Sequence, residues 1–226
     1  MRLIIGVLLG LCLFFEGGFS AAYGQDVQEI IRAIDGEQQK IQTLIAGFSQ
    51  RKVTTLVREP LISSGVVKFK RPDRIHFIYS KPEPMEMALD GETIWIYSPI
   101  RPQVEKYSIA KNKRMAQYLE PVRGIFQKTF GQLAENYTLA YQGLQRDRLH
   151  WFRLNPKEEK VRKFLLRVDL WIDKTSGAIL RFEMIEANQD LLDLEFKDLQ
   201  INPPLTDDDL AIKIPPSVRV LEQSTP

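Results

Sequence analysis

The sequence predicts an α+β protein built on antiparallel sheet, and three observations carry that prediction. Residues 27–48 and 110–133 space their apolar side chains with the period of a helix. Most of the remainder alternates with the period of a strand. Turn residues recur at short intervals, which leaves no long crossover of the kind a parallel sheet requires.

The first two dozen residues read as an export leader. Arg2 supplies the basic start, Leu3 to Phe15 form an apolar run too short to span a bilayer, and Ala22-Tyr23-Gly24 offers the small residues a signal peptidase needs. Cleavage is expected before Gln25, giving a leader of residues 1–24 and a single domain of residues 25–226. Cys12 offers lipid attachment as an alternative, but Leu11 stands where a small residue is required and Leu13, Phe14 and Phe15 continue the apolar run. Since Cys12 leaves with the leader, neither a disulfide nor a thiolate is expected in the exported domain. With 31 Lys and Arg against 29 Asp and Glu and no dense basic tract, composition gives no case for nucleic acid. No second apolar run is long enough to span a membrane.

In residues 27–48, Val27, Ile30, Ile31 and Ile34 share a helix face, and Ile41, Leu44, Ile45 and Phe48 continue it after a break near Gly36. The expectation is one bent amphipathic helix capped by Asp26, with strands beginning after Val53. A first meander is expected over residues 65–70, 74–79, 85–89, 93–97 and 103–108, with Asp90-Gly91 as its sharpest turn. A helical insertion follows, carrying Met115, Tyr118, Leu119, Ile125, Phe126 and Phe130 and divided at Pro121. A second meander is expected over residues 137–142, 149–154, 164–172, 179–187 and 191–199.

Alternation in the first meander defines a face: Val67, Phe69 and Arg71, then Ile75, Phe77 and Tyr79, then Met85, Met87 and Leu89. Such a face is either the core beneath the helices or a lipid cavity, in which flexible methionines re-pack around guests of differing shape. Periodicity does not choose between them. Arg71 shares the parity of Val67 and Phe69, so alternation aims its guanidinium at apolar surface, where it needs several acceptors. The alternative is an arginine that snorkels to the rim or pairs with a carboxylate.

The residues argue against catalysis. His76 and His150 are the two histidines, and neither a glycine-rich phosphate loop nor metal-ligand spacing occurs, so no catalytic residue, metal or cofactor is assigned. His76 alternates opposite to Ile75 and Phe77 and is expected to face solvent. Asp207-Asp208-Asp209 lacks the alternating ligands and glycine of a calcium loop and reads as a solvated turn after Pro203-Pro204. Glu158 and Glu159 sit on a lysine-rich stretch without the environment that separates the pKa values of an acid and a base.

Several motifs in order resemble the LolA family of periplasmic lipoprotein carriers. They are Phe48-Ser49-Gln50 at the expected end of the first helix, Gly65 opening a strand that ends Phe69-Lys70-Arg71-Pro72, Asp90-Gly91 before Ile94-Trp95-Ile96-Tyr97-Ser98-Pro99 and Gln103, and Asn202 before Leu210-Ala211-Ile212-Lys213-Ile214-Pro215-Pro216. The likeness implies a curved, unclosed half-barrel of antiparallel sheet, its concave face covered by helices that act as a lid. Acyl chains of a lipoprotein would lie between sheet and lid. Arg71 stands where the family's arginine locks the lid, Ile75 and Phe77 match cavity positions, and Ile125 and Phe126 fall in the lid region. The expected partners are acylated lipoproteins, an inner-membrane lipoprotein-releasing ABC transporter and an outer-membrane receptor, met by a periplasmic monomer that does not span a membrane. Residues 108–137 form a longer and more basic insertion than the family pattern, aliphatic residues around Leu210 and Ile212 replace an aromatic, and Ser217 replaces a glycine. A carrier of another lipid linked to its own exporter, or an envelope adaptor that senses lipid or peptide, remain as alternatives.

Overall fold

A computed structural model describes residues 19–111, 121, 123, 124 and 126–223. Helix α1 runs Phe19–Gln38 and leads into strand β1, Thr43–Val53. The first meander comprises β2 (Leu61–Lys70), β3 (Arg74–Lys81), β4 (Met85–Asp90), β5 (Thr93–Ser98) and β6 (Gln103–Ser108). After the insertion come α2 (Phe130–Asn136), β7 (Tyr137–Gln145), β8 (Leu149–Pro156), α3 (Glu159–Arg162), β9 (Leu165–Asp173), β10 (Ile179–Glu186) and β11 (Leu191–Ile201). A 3-10 turn at Asp208–Leu210 and strand β12 (Arg219–Glu222) follow.

All strands join one sheet in the order β12-β6-β5-β4-β3-β2-β1-β11-β10-β9-β8-β7. The pairings are antiparallel except β12 with β6, and β12 and β7 remain unjoined, so the sheet stays open as expected. Its inner face packs on α1 and α2 through one apolar cluster that includes Ile31, Ile34, Phe48, Phe130, Phe152 and Leu170.

One expected element is corrected. Residues 43–48 do not continue the first helix, and Phe48-Ser49-Gln50 lies within β1 rather than at a helix end. Leu44, Ala46 and Phe48 are buried in alternation with Ile45, Gly47 and Ser49. Leu44 and Phe48 are four residues apart, a spacing that puts side chains on one face of a helix and equally of a strand. Pairing decides it: β1 is bonded along its length to β2 on one side and β11 on the other. Asp26 lies inside α1, not at its start. The expected leader residues 1–18, and Met115, Tyr118, Leu119 and Ile125 of the insertion, lie outside the described residues.

Irregularities bend the sheet. Between Ile45 and Gly47 the β1–β11 register slips by a residue, with Asp198 taking a positive φ of 53°. At the β2–β3 irregularity a Cβ on Gly65 would fall 2.0 Å from the Ile78 carbonyl oxygen, so only glycine allows this approach. Asn202 fastens the α1–β1 connection: its Oδ1 accepts from the Gln42 N–H at 2.7 Å and its Nδ2 donates to the Lys40 carbonyl at 2.9 Å.

The outer face is closed by polar contacts. Asp169, 1% exposed, accepts from Trp151 Nε1 at 3.0 Å and from Arg153 Nε and Arg167 Nε at 2.9 Å each. Trp151 and Trp171 stack at 5.7 Å, and Arg181 lies 4.4 Å over Trp171. His76 is corrected here: it lies on this outer face but is 3% exposed, with Nε2 2.8 Å from Glu86 Oε2. A glutamate side chain on the neighbouring strand reaches it, which alternation within one strand cannot reveal. Asp207 and Asp208 are exposed as expected, and Lys70 and then Arg74 hold the Asp207 carboxyl below its ordinary range.

Replacing Gly65 with Ala is expected to lower stability by about 2–3 kcal/mol, since the added methyl collides with backbone that cannot yield locally. Urea denaturation of the two proteins measures it, and an unchanged midpoint would refute the close-approach argument.

Candidate functional site

The concave face is built from alternate residues of the strands. Val67 lies opposite Phe77 and Phe69 opposite Ile75, while Ile75 faces Leu89, Phe77 faces Met87 and Tyr79 faces Met85. The residues chosen by alternation therefore share one surface, with Val67, Phe69, Ile75, Phe77 and Leu89 buried and Tyr79, Met85 and Met87 half-buried. β1 contributes Phe48, whose ring meets those of Phe77 and Tyr79 edge-on at 5.3 and 5.0 Å. The second meander supplies an equal wall, including Phe152, Leu170, Phe182, Met184, Leu194 and Phe196, none of which was singled out from the sequence. Their alternation was legible; only closure of the sheet through β1 and β11 sets them across from the first meander.

The helices cover this face, and Arg71 joins them. It leaves the sheet just after β2 with its side chain on the apolar side, as parity predicts. Its Nε donates to the Ile41 carbonyl at 2.8 Å, its Nη2 to the Gln38 carbonyl at 3.1 Å and its Nη1 to the Gln127 carbonyl at 3.4 Å. Gln38 ends α1, and Gln127 is the last helical residue before Lys128 in the lid segment that carries Arg123, Gly124 and Phe126. One guanidinium thus satisfies end carbonyls of two helices, where the helix dipole also favours a cation. Burial lowers its pKa, yet a guanidinium keeps its charge over any physiological range.

A second contact ties the lid and has no sequence motif of its own. The Asp35 carboxylate of α1 accepts from the Phe130 N–H at 2.5 Å and the Gly131 N–H at 3.1 Å, at the start of α2. That helix is also capped reciprocally by Thr129 and Gln132. An anion at a helix start meets unpaired amides and the positive end of the dipole.

Beneath the latch the interior is filled. Phe126 lies between Phe69 and Phe196, at ring distances of 5.5 and 6.1 Å, and leaves a cleft of about 50 Å³ against Arg71. Ligand pockets measure roughly 300–1,000 Å³, so this cleft is too small to hold a ligand of that size. At the opposite end of the strands a wider cleft of about 270 Å³ opens, with a partly polar lining. There Glu105 accepts from Tyr107 Oη at 2.5 Å, and that bond, with burial and the negative charge, pushes the Tyr107 pKa up to about 12. Among the described residues no group of acidic, His or Cys side chains has the arrangement of a metal site, and no helix is long and apolar enough to cross a membrane.

A family model described as outer membrane lipoprotein carrier protein LolA matches residues 39–213. The chain belongs to the LolA family. Two relatives named outer-membrane lipoprotein carrier protein show how far the similarity to this LolA-family chain extends. That of Cupriavidus taiwanensis is 24% identical over 98% of this chain and 99% of its own length. That of Albidiferax ferrireducens is 26% identical over 71% of this chain and 74% of its own. Among solved structures, an uncharacterized conserved protein from Thermus thermophilus superposes with a TM-score of 0.56 at 13% identity, over 88% of this chain and 100% of that one. MucB superposes with a TM-score of 0.51 at 18% identity, over 87% of this chain and 65% of MucB. These two likenesses concern the LolA-type fold alone.

Asp35→Asn is expected to raise amide exchange at Phe130 and Gly131 about tenfold, because the two N–H groups bond to different carboxylate oxygens and the variant replaces one of these by a donor and removes the charge. Hydrogen-exchange mass spectrometry reads it against an unchanged far-UV spectrum. Equal exchange in both proteins would mean that the contact does not hold α2.

Proposed function

We propose that this chain is a periplasmic carrier that holds the acyl chains of lipoproteins between its concave sheet face and its lid, and moves them from the inner to the outer membrane. The observation that carries the reading is the Arg71 latch: a half-buried cation bonded to the ends of two helices directly above an apolar, aromatic surface. The family and the names of its relatives support the cargo class. The basic, apolar and small-residue zones of residues 1–24 support export, with cleavage between Gly24 and Gln25. Val67, Phe69, Ile75, Phe77, Tyr79, Met85, Met87 and Leu89 would line the acyl site, with Ile125 and Phe126 as its lid. An inner-membrane releasing transporter and an outer-membrane receptor would supply and accept the cargo of a monomeric carrier.

The energetics fit such a role. Burying acyl chain contributes about 0.8 kcal/mol per methylene, so a preformed cavity would hold a multi-acylated guest too tightly to pass on. A latch that stabilises the closed form subtracts its own free energy from the apparent affinity. Handover to a stronger receptor then becomes favourable.

Two outcomes are expected. The exported domain should release acylated lipoproteins from inner-membrane vesicles as soluble one-to-one complexes, and Arg71→Leu should take up cargo but fail to pass it to outer-membrane vesicles. Normal transfer by that variant would sink the latch. Phe77→Glu should abolish uptake by placing a carboxylate on the acyl surface, and undiminished uptake would show that the cargo binds elsewhere.

A further inference from the structure

The concave face changes character along its strands. Toward Arg71 it is apolar and covered; toward the β1–β2 and β5–β6 turns Gln50, Ser63, Ser98, Gln103 and Glu105 join Tyr79, Met85 and Ile96 in lining the cleft of about 270 Å³, whose surface is still mostly apolar. These are neighbours by register, with Gln50 opposite Ser63 and Ser98 opposite Gln103. Tyr79 stands at the boundary. Its ring packs on Phe48, and its hydroxyl donates to Gln50 Oε1 at 3.1 Å. Glu105 is held in place from two sides, by Gln103 Nε2 at 3.3 Å and by Tyr107 Oη. Ser63 and Phe69 are six residues apart on β2, roughly 20 Å in an extended strand, which is the span of a long acyl chain.

We infer that this shelf of polar groups set in an otherwise apolar cleft is a second subsite, which takes the neck where acyl chains join peptide: the ester carbonyls and the first backbone amides of an acylated protein. The inference rests on the carrier reading above. A guest whose chains lie beneath the lid leaves the sheet at the end away from Arg71, and its neck crosses the shelf. Serine hydroxyls and the Gln103 amide suit ester carbonyls, and the Glu105 carboxylate suits peptide N–H donors. The charged residues lining the cleft are Lys81 and Arg101 against Glu83 and Glu105, so the shelf has no net attraction for a phosphate. That balance favours a lipopeptide over a phospholipid.

The test compares the purified protein with Ser98→Val/Gln103→Leu and, separately, Gln50→Leu, using three probes: palmitate, an S-dipalmitoylglyceryl-cysteinyl tetrapeptide, and dipalmitoylphosphatidylglycerol. Both variants are expected to bind the lipopeptide about tenfold more weakly, as loss of one or two hydrogen bonds dictates, and to bind palmitate as the parent does. Equal loss for palmitate and lipopeptide, no loss for lipopeptide, or parent affinity for the phospholipid equal to that for the lipopeptide would each overturn the shelf. A parent protein that binds neither palmitate nor lipopeptide overturns the carrier reading as well. Palmitate binding with an unaffected lipopeptide overturns the shelf alone.

Discussion

The double pairing of β1 is the constraint on which the rest of the molecule depends. It bonds to β2 on one edge and β11 on the other, and so joins two meanders into one sheet. Without it each meander would expose an apolar face and a further open edge. The chain between the two partners is long, yet closing it costs little more than a shorter loop would, because closure entropy grows only as the logarithm of length. The slip at Asp198 and the close approach at Gly65 then bend the joined sheet around the helices.

Curvature creates an apolar hollow, and the molecule fills it with its own lid. Phe126 occupies the space between Phe69 and Phe196 that a guest would need. A dozen buried methylenes are worth roughly 10 kcal/mol, whereas the charge-assisted bonds of one arginine contribute about 2–5 kcal/mol. On those magnitudes such a latch would weaken binding of the proposed acyl guest without preventing it. A filled interior also explains why alternation could not separate a core from a cavity, since the side chains proposed for the cavity here pack as core.

Much of the candidate site was legible in single strands. Phe69, Ile75, Phe77 and Leu89 follow from parity, and Arg71 drew notice because a guanidinium interrupted an apolar row. Its acceptors were not legible, because carbonyls of Gln38, Ile41 and Gln127 belong to backbone that any residue provides. Asp35 was hidden for a similar reason: its partners are N–H groups some 95 positions away. The shelf residues Gln50, Ser98 and Gln103 lie on three strands, each ordinary in its own alternation. His76 was misplaced because burial on the outer face comes from neighbouring strands rather than from its own.

The sequence by itself determined which segments alternate, where they turn, and which side chains share a face, because a strand's side-chain period is a local property. It therefore settled the α+β class and ten of the strands in their order. Tertiary structure decided β1. Leu44 and Phe48 satisfy helix and strand alike, and only the unpaired backbone groups of β2 and β11, which need a partner between them, select the strand. It decided the lid as well, since the hydrogen bonds of Arg71 and Asp35 exist only when α1, α2 and the end of β2 meet in space.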